Sequence, residues 1–339
     1  MPAILAHWAV AQEVAKRFKS EREFWYFQGR EEDRVDVGLL PKDKKDFEQI
    51  SRYFYFGANG PDLPYFRRKS GKSEWADMFH YNKQGEFLLE LVLIIKNLPK
   101  NEASRERALA YALGHATHIA VDSMVHPYVN CFAGAYPEQF ISEMHRTCEC
   151  HQDSYLGKEY FRRMNVHSGP SWKKFVPPAT QIAVPTLPGV TIINDDVKNV
   201  LDIIDKAFKK THGNSPGIED LIDCYENYYD VVLDEAYDKG VIIIGLIVSD
   251  IPTDPHPSLV NHEKLEPQIK YSKVLLERAV EFAEELCKAV ISLFKSNGTE
   301  EDKNGFREKI KNWNLDNGYW IEVKMEDKKL KIIWRNTWC

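Results

Sequence analysis

No stretch of this chain is apolar for long enough to span a bilayer. The longest apolar runs, Phe87 to Ile95 and Val241 to Val248, fall well short of the roughly 20 residues that a transmembrane helix needs. The amino-terminal segment from Met1 to Phe18 lacks the charged start, apolar run and small-residue cleavage site of a leader peptide. The expectation is therefore a cytoplasmic protein with at most peripheral membrane contact. Cysteine pairing is also missing. Six cysteines (Cys131, Cys148, Cys150, Cys224, Cys287 and Cys339) form no Cys-x-x-Cys pair, which excludes a disulfide framework and argues against cysteine ligation of zinc at Cys148 or Cys150. Nor is there an excess of positive charge. A net charge of -6 argues against a duplex-DNA partner. It leaves a phosphate substrate open, because bound metal ions can supply positive charge locally. No internal repeat or low-complexity segment is present, and nothing in the chain sets an oligomeric state.

The 339 residues are 43% hydrophobic and 28% charged, enough apolar material for a large core. Helical periodicity dominates. It predicts helices at Pro2–Phe18, Lys44–Phe54, Gly85–Asn97, Ala103–Val129, Pro137–Lys158, Asp195–Lys210, Gly217–Tyr237 and Lys264–Phe294. The proline-rich stretch 168–192 reads as an irregular loop. Near the carboxyl end, Tyr319 to Met325 and Leu330 to Trp334 alternate apolar and polar around a charged turn, which predicts a β-hairpin. The expected fold is an all-α, multi-helix bundle. A helical body over 1–298 carries a C-terminal helix and hairpin over 299–339.

Eleven histidines are present, and seven precede residue 152. His118, Asp122 and His126 are spaced i, i+4, i+8, so one helix presents imidazole, carboxylate and imidazole on one face. A carboxylate between two imidazoles can bridge two cations. His145 and Glu149 repeat the i, i+4 pairing on the next predicted helix, and such a pair supplies two zinc ligands from rigid backbone. A lone His-x-x-x-Asp is commonly just a surface charge pair. Two such motifs on consecutive helices are harder to dismiss, since an aspartate on an alanine-rich face is costly to bury without a cation. Three further positions join the set: His7 in the first helix, Asp62 in a turn rich in glycine and proline, and His80 just before the next predicted helix. His115 and His151 lie off the main spacing.

Taken in order, His7, Gly57-Ala-Asn-Gly-Pro-Asp62, His80, His118/Asp122, His126 and His145/Glu149 resemble the zinc-dependent phospholipase C family, which is itself similar to the zinc-type single-strand nucleases. The resemblance covers about the first half of the chain. It implies an all-α bundle holding two or three Zn2+ ions in a cleft. On that resemblance His126, His145 and Glu149 would hold one ion, and Asp62, His80 and His118 a second. Asp122 would bridge to a third that His7 also holds. Asp62 would in addition orient the attacking water and so act as the catalytic residue. Secreted bacterial members place an amino-terminal tryptophan on the third metal, whereas here Met1-Pro2 stands a few residues before His7. The short Asp122–His126 gap is closer to the glycosylphosphatidylinositol-specific phospholipase D branch, which leaves the bond cleaved open.

The chemistry suits this donor set. Zinc lowers the pKa of bound water to roughly 7, and paired ions neutralise both attacking and leaving oxygens. The expected activity is zinc-dependent phosphodiester hydrolysis, with a phosphate ester, in the first place a phospholipid, as substrate. A nuclease or phosphatase built on the same cluster, or a non-catalytic helical metal-binding protein, are the alternatives. Aromatic residues near the motifs, among them Trp8, Tyr53, Tyr55, Phe56, Tyr65 and Phe79, would either pack between helices or line an apolar mouth. The basic stretch 67–72 would be a solvated loop or a headgroup contact. Residues 193–339 carry little recognisable chemistry, and His256 and His262 are expected on the surface.

Overall fold

A computed structural model describes residues 4–17, 44–66, 74–81, 83–99, 103–133, 145, 147–149, 151–152, 184–187, 190–192, 195–229, 275–315, 319–326 and 329–336. Its helices are α1 (Ile4–Arg17), α2 (Lys44–Ala58), a 3-10 helix (Gly60–Phe66), α3 (Glu74–Tyr81), α4 (Gln84–Asn97), α5 (Ala103–Ala133), α6 (Asp195–His212), α7 (Ile218–Tyr229), α8 (Leu276–Lys295) and α9 (Glu300–Ile310). The all-α expectation holds.

The axis of the bundle is α5. Its 31 residues span roughly 46 Å. Ala112, Ala116, Ile119, Ala120, Val121 and Val129 are all buried, and they lie on every side of the helix. A helix apolar all round has to be central, and α1, α2, α4, α6 and α8 all pack against it. The outer helices are amphipathic. In α6, Val197, Val200, Leu201, Ile204, Ala207 and Phe208 form the buried stripe; in α8, Ala279, Ala283, Leu286, Val290 and Leu293 do the same.

Contact between α2 and α5 is made backbone to backbone. A side-chain carbon at Gly114 would overlap the carbonyl oxygen of Phe54 and lie 2.9 Å from the Cα of Gly57. One at Gly57 would overlap the carbonyl oxygen of Tyr111. This pair of glycines brings the C-terminal end of α2, and the 3-10 helix that follows, against the middle of α5.

The C-terminal part begins with α9, whose capping box pairs Thr299 and Asp302: the Asp302 amide donates to Thr299 Oγ1 at 3.2 Å, and the Thr299 amide donates to Asp302 Oδ2 at 2.9 Å. Two short strands, β1 (Val184–Leu187) and β2 (Val190–Ile192), precede α6, and three antiparallel strands follow α9, β3 (Trp313–Asn314), β4 (Tyr319–Glu326) and β5 (Lys329–Asn336), in the order β3-β4-β5. The predicted hairpin is β4–β5, with Tyr319 opposite Asn336 and Glu326 opposite Lys329.

Three local expectations change. The turn bearing Asp62 is a buried 3-10 helix, because Pro61 and Pro64 hold φ near the value such a turn requires. His80 does stand just before α4, but it also sits in the last turn of a short helix of its own, α3. Within the stretch expected to be irregular, Val184–Leu187 and Val190–Ile192 pair antiparallel; the β-branched residues there favour strand over coil. Of the predicted helix Pro137–Lys158, residues 145, 147–149 and 151–152 are helical, and the rest lies outside the described residues. So do residues 230–237 and 264–274, and with them the ends of two other predicted helices.

Two outcomes test this packing. Gly114→Ala should destabilise the protein by about 1–3 kcal/mol, the usual range for overpacking, although alanine is the better helix former; urea denaturation measures it. His212 stacks on Phe208 at 4.4 Å between ring centroids. Burial, together with nearby Lys83, lowers its pKa to about 4 from an ordinary 6.5. The folded state thus prefers the neutral ring, and stability is lost as pH falls from 6.5 toward about 4. His212→Gln should flatten that part of the urea midpoint against pH, and a profile parallel to wild type would remove His212 from the account.

Candidate metal centre

On α5 the i, i+4, i+8 row places His118, Asp122 and His126 on one face, exposed by 0%, 0% and 2%. Other elements bring the remaining groups to this face. His7 comes from α1, Asp62 from the 3-10 helix and His80 from α3, and all three are buried. His145 and Glu149, also buried, come from the helical residues that follow α5 in the chain.

Two adjoining groupings result. In the first, Asp122 Oδ1 lies 3.2 Å from His7 Nε2. Asp122 Oδ2 lies 3.0 Å from His118 Nε2 and 3.7 Å from His80 Nε2. Asp62 Oδ1 lies 3.1 Å from His80 Nε2. The His7 and His118 rings stack, with centroids 4.1 Å apart and planes within 3°. In the second, Glu149 Oε1 lies 2.9 Å from His145 Nε2 and 3.3 Å from His126 Nε2.

The partners of the other ring nitrogens decide what these contacts mean. His118 Nδ1 donates to the carbonyl of Ala58 at 2.8 Å, His80 Nδ1 to that of Ala76 at 2.7 Å, and His126 Nδ1 to that of Leu315 at 2.5 Å. A carbonyl oxygen only accepts, so each Nδ1 carries the proton. In a neutral ring Nε2 then presents a lone pair. Three lone pairs therefore face carboxylate oxygens at 3.0–3.7 Å. At Asp122 the distances are those of ion pairs without hydrogen-bond angles. Such an arrangement repels itself unless a cation lies among the atoms. Protonating the rings instead would put buried imidazolium charges 4.1 Å apart in the His7–His118 stack. Burial and the neighbouring His118 hold His7 below the ordinary imidazole range.

The carboxylates stay ionised. Burial pushes Asp122 up, but His118, His126 and His7 outweigh it and hold the group well below the usual range. Asp62 is lowered in the same way against its burial, by His118, His80 and His7. That pull needs positive charge at the rings or among them, and with the rings neutral only a cation supplies it.

Three sets bring nitrogen and oxygen donors within 4.8 Å of one another: His7, Asp62 and His118; His80, His118 and Asp122; and His126, His145 and Glu149. The third is the grouping that the resemblance implies. The first two share His118 and distribute Asp62 and Asp122 differently from it, because both carboxylates face the His7–His118 stack. Three donors of imidazole and carboxylate type suit zinc and leave coordination positions for water and substrate.

Several contributors carry no sequence signal. The carbonyls of Ala58, Ala76 and Leu315 orient three imidazoles, and a backbone carbonyl is the same at every position. Tyr228 of α7 is buried close enough to Asp62 for that carboxylate to add to the upward push of burial on its phenol. Tyr65 stands 5.4 Å from the His80 ring. Trp8, Tyr53, Tyr55, Phe56 and Phe79 are buried core residues, so packing accounts for them. His115 is enclosed by Phe79, Phe87 and Tyr111, with Nε2 3.4 Å from Gln84 Oε1, and stands outside the three sets. The basic stretch 67–72, His256 and His262 lie outside the described residues.

No helix among the described residues is long and apolar enough to cross a membrane. No curated protein and no solved structure matches the chain. The family model described as zinc dependent phospholipase C matches residues 6–214. That span runs from the first turn of α1 through α6 and contains every residue of the three donor sets, and on it the chain belongs to the zinc-dependent phospholipase C family.

Proposed function

We propose that the protein hydrolyses a phosphodiester bond in a phospholipid, using zinc held by His7, Asp62, His80, His118, Asp122, His126, His145 and Glu149. The observation that carries this is the set of imidazole lone pairs turned toward buried carboxylates, together with membership of the family. Zinc, when bound, supplies acidified water and charge neutralisation for the attacking and leaving oxygens.

The chain's own residues supply position and proton traffic. Asp122, on the rigid axis of the bundle, sets the spacing of the donors from α1, α3 and α5. Asp62 has one oxygen against His80 at 3.1 Å. Its Oδ2 makes no hydrogen bond among the described residues. That oxygen is suited to accept a hydrogen bond from the attacking water and to aim its lone pair at phosphorus. Attack forms one P–O bond and breaks another, and the departing oxygen leaves as an alcohol once protonated. Cleavage on the glycerol side gives a diacylglycerol and a phosphorylated headgroup; cleavage on the other side gives phosphatidate and a free headgroup alcohol.

Protein purified without chelator should contain two to three zinc ions per chain, in the about 1:1 ratio of ion to donor set that three-ligand sites require. It should hydrolyse phosphatidylcholine vesicles faster than single-stranded DNA, and lose the activity to a chelator. Faster cleavage of DNA would make it a nuclease, and a zinc-free protein would end the enzyme proposal. Asp62→Asn should lower kcat by about 10²–10⁴, the usual contribution of a positioned proton acceptor, with zinc content measured on the same sample. Near-normal turnover would take Asp62 out of the mechanism.

A further inference from the structure

We infer that the C-terminal segment Lys311–Leu315, which lies beyond the family-matched span, is a positioning strap for the metal centre. Leu315 is fully buried and engages two of the histidines at once. Its carbonyl accepts from His126 Nδ1 at 2.5 Å. Its amide donates to the carbonyl of His80 at 2.7 Å. The first contact fixes the tautomer and orientation in which His126 Nε2 faces Glu149. The second gives a hydrogen bond to a carbonyl in the last turn of α3. One residue thereby ties the His126, His145 and Glu149 set to the element carrying His80. This inference rests on the metal-centre proposal above.

The strap is anchored away from the donors. Arg307 grips Glu86 through Nε at 2.8 Å and a second guanidinium nitrogen at 3.2 Å. Asn312 Oδ1 accepts from the Glu86 amide at 3.1 Å, at the start of α4. Gly85 leaves room for the chain to cross that helix: a Cβ there would overlap the carbonyl oxygen of Lys311 and lie 3.2 Å from Asn312 Oδ1. Lys311 turns the chain out of α9 with a positive φ of 56°. Trp313 then buries its ring edge-on to Phe282, with centroids 5.4 Å apart, and its strand pairs with β4. An outer partner that fixes a ligating imidazole is typically worth about 10–100-fold in metal affinity.

The test uses the full chain and two variants remote from the donors. Asn312→Ala removes the acceptor that pins the strap to α4, and Gly85→Ala pushes the strap away from it. Zinc affinity is measured by competition with a chromophoric chelator, and site occupancy by the visible bands of the cobalt-substituted protein. Glu149→Gln marks which band belongs to the His126, His145 and Glu149 set. The expected result is selective: both variants weaken that one ion by about 10–100-fold and the remaining ions by clearly less. A purely structural role would lower the urea midpoint without this selectivity. Wild-type affinity at every site in both variants, or equal weakening of all ions, overturns the strap. Wild-type protein that binds no zinc overturns the metal centre and the strap together, whereas normal wild-type binding with unaffected variants overturns the strap alone.

Discussion

Asp122 lies at the middle of the central helix with no exposed surface, and much of the bundle is arranged around the problem it poses. An ionised carboxylate in an apolar interior costs several kcal/mol unless charge and hydrogen bonds compensate it. Here His7, His118 and His80 approach it from α1, α5 and α3. Neutral rings with lone pairs turned inward do not relieve that cost by themselves. A cation held among them would, and it would bind the folded arrangement far better than the unfolded chain. Folding and metal affinity would then become one free energy. The eight-residue helix α3 gains from this more than the long ones, because Ala76 and Phe79 are the apolar residues it buries.

Precision at the centre comes from backbone. His118 leans on the carbonyl of Ala58, His80 on that of Ala76 and His126 on that of Leu315. These acceptors sit at the end of α2, within α3 and in the strap. Side-chain rotamers at the acceptors are irrelevant to them, so the donors are aimed as accurately as the helices are packed. This explains the glycine pair at the α2–α5 crossing. Without Gly57 and Gly114 the helices would stand farther apart, the Ala58 carbonyl would withdraw from His118, and Asp62, four residues beyond Ala58, would move with it. A packing detail thus determines the chemistry of two donors.

The parts that sequence reveals and the parts it hides divide along physical lines. Periodicity finds α1, α4 and α6 to within two residues at each end, and α5 at its start though four residues short at its end, because their apolar patterns are long. The i, i+4, i+8 row on α5 is legible because helix geometry alone places those residues on one face. The order of histidines and carboxylates carries the rest of the donor set. What stays hidden is long-range. Nothing in Gly57 or Gly114 announces that they meet, and the His126–Leu315 contact spans 189 positions. Local structure escapes where signals are short. Helix α3 has only eight residues, too few for periodicity to register, and prolines in the Asp62 segment read equally well as a turn or a 3-10 helix.

The Leu315 contact also has a reverse side. If the strap strengthens metal binding at His126 by holding its Nδ1 proton, linkage requires the metal to strengthen the strap by the same factor. The physical route is direct. A cation held by His126 would withdraw electron density from the ring, make Nδ1–H a better donor, and tighten the bond to the Leu315 carbonyl. The hairpin β4–β5 is zipped onto β3 beside that residue. The C-terminal segment would then be ordered partly by the ion it helps to hold, although it lies beyond the family-matched span that ends at residue 214.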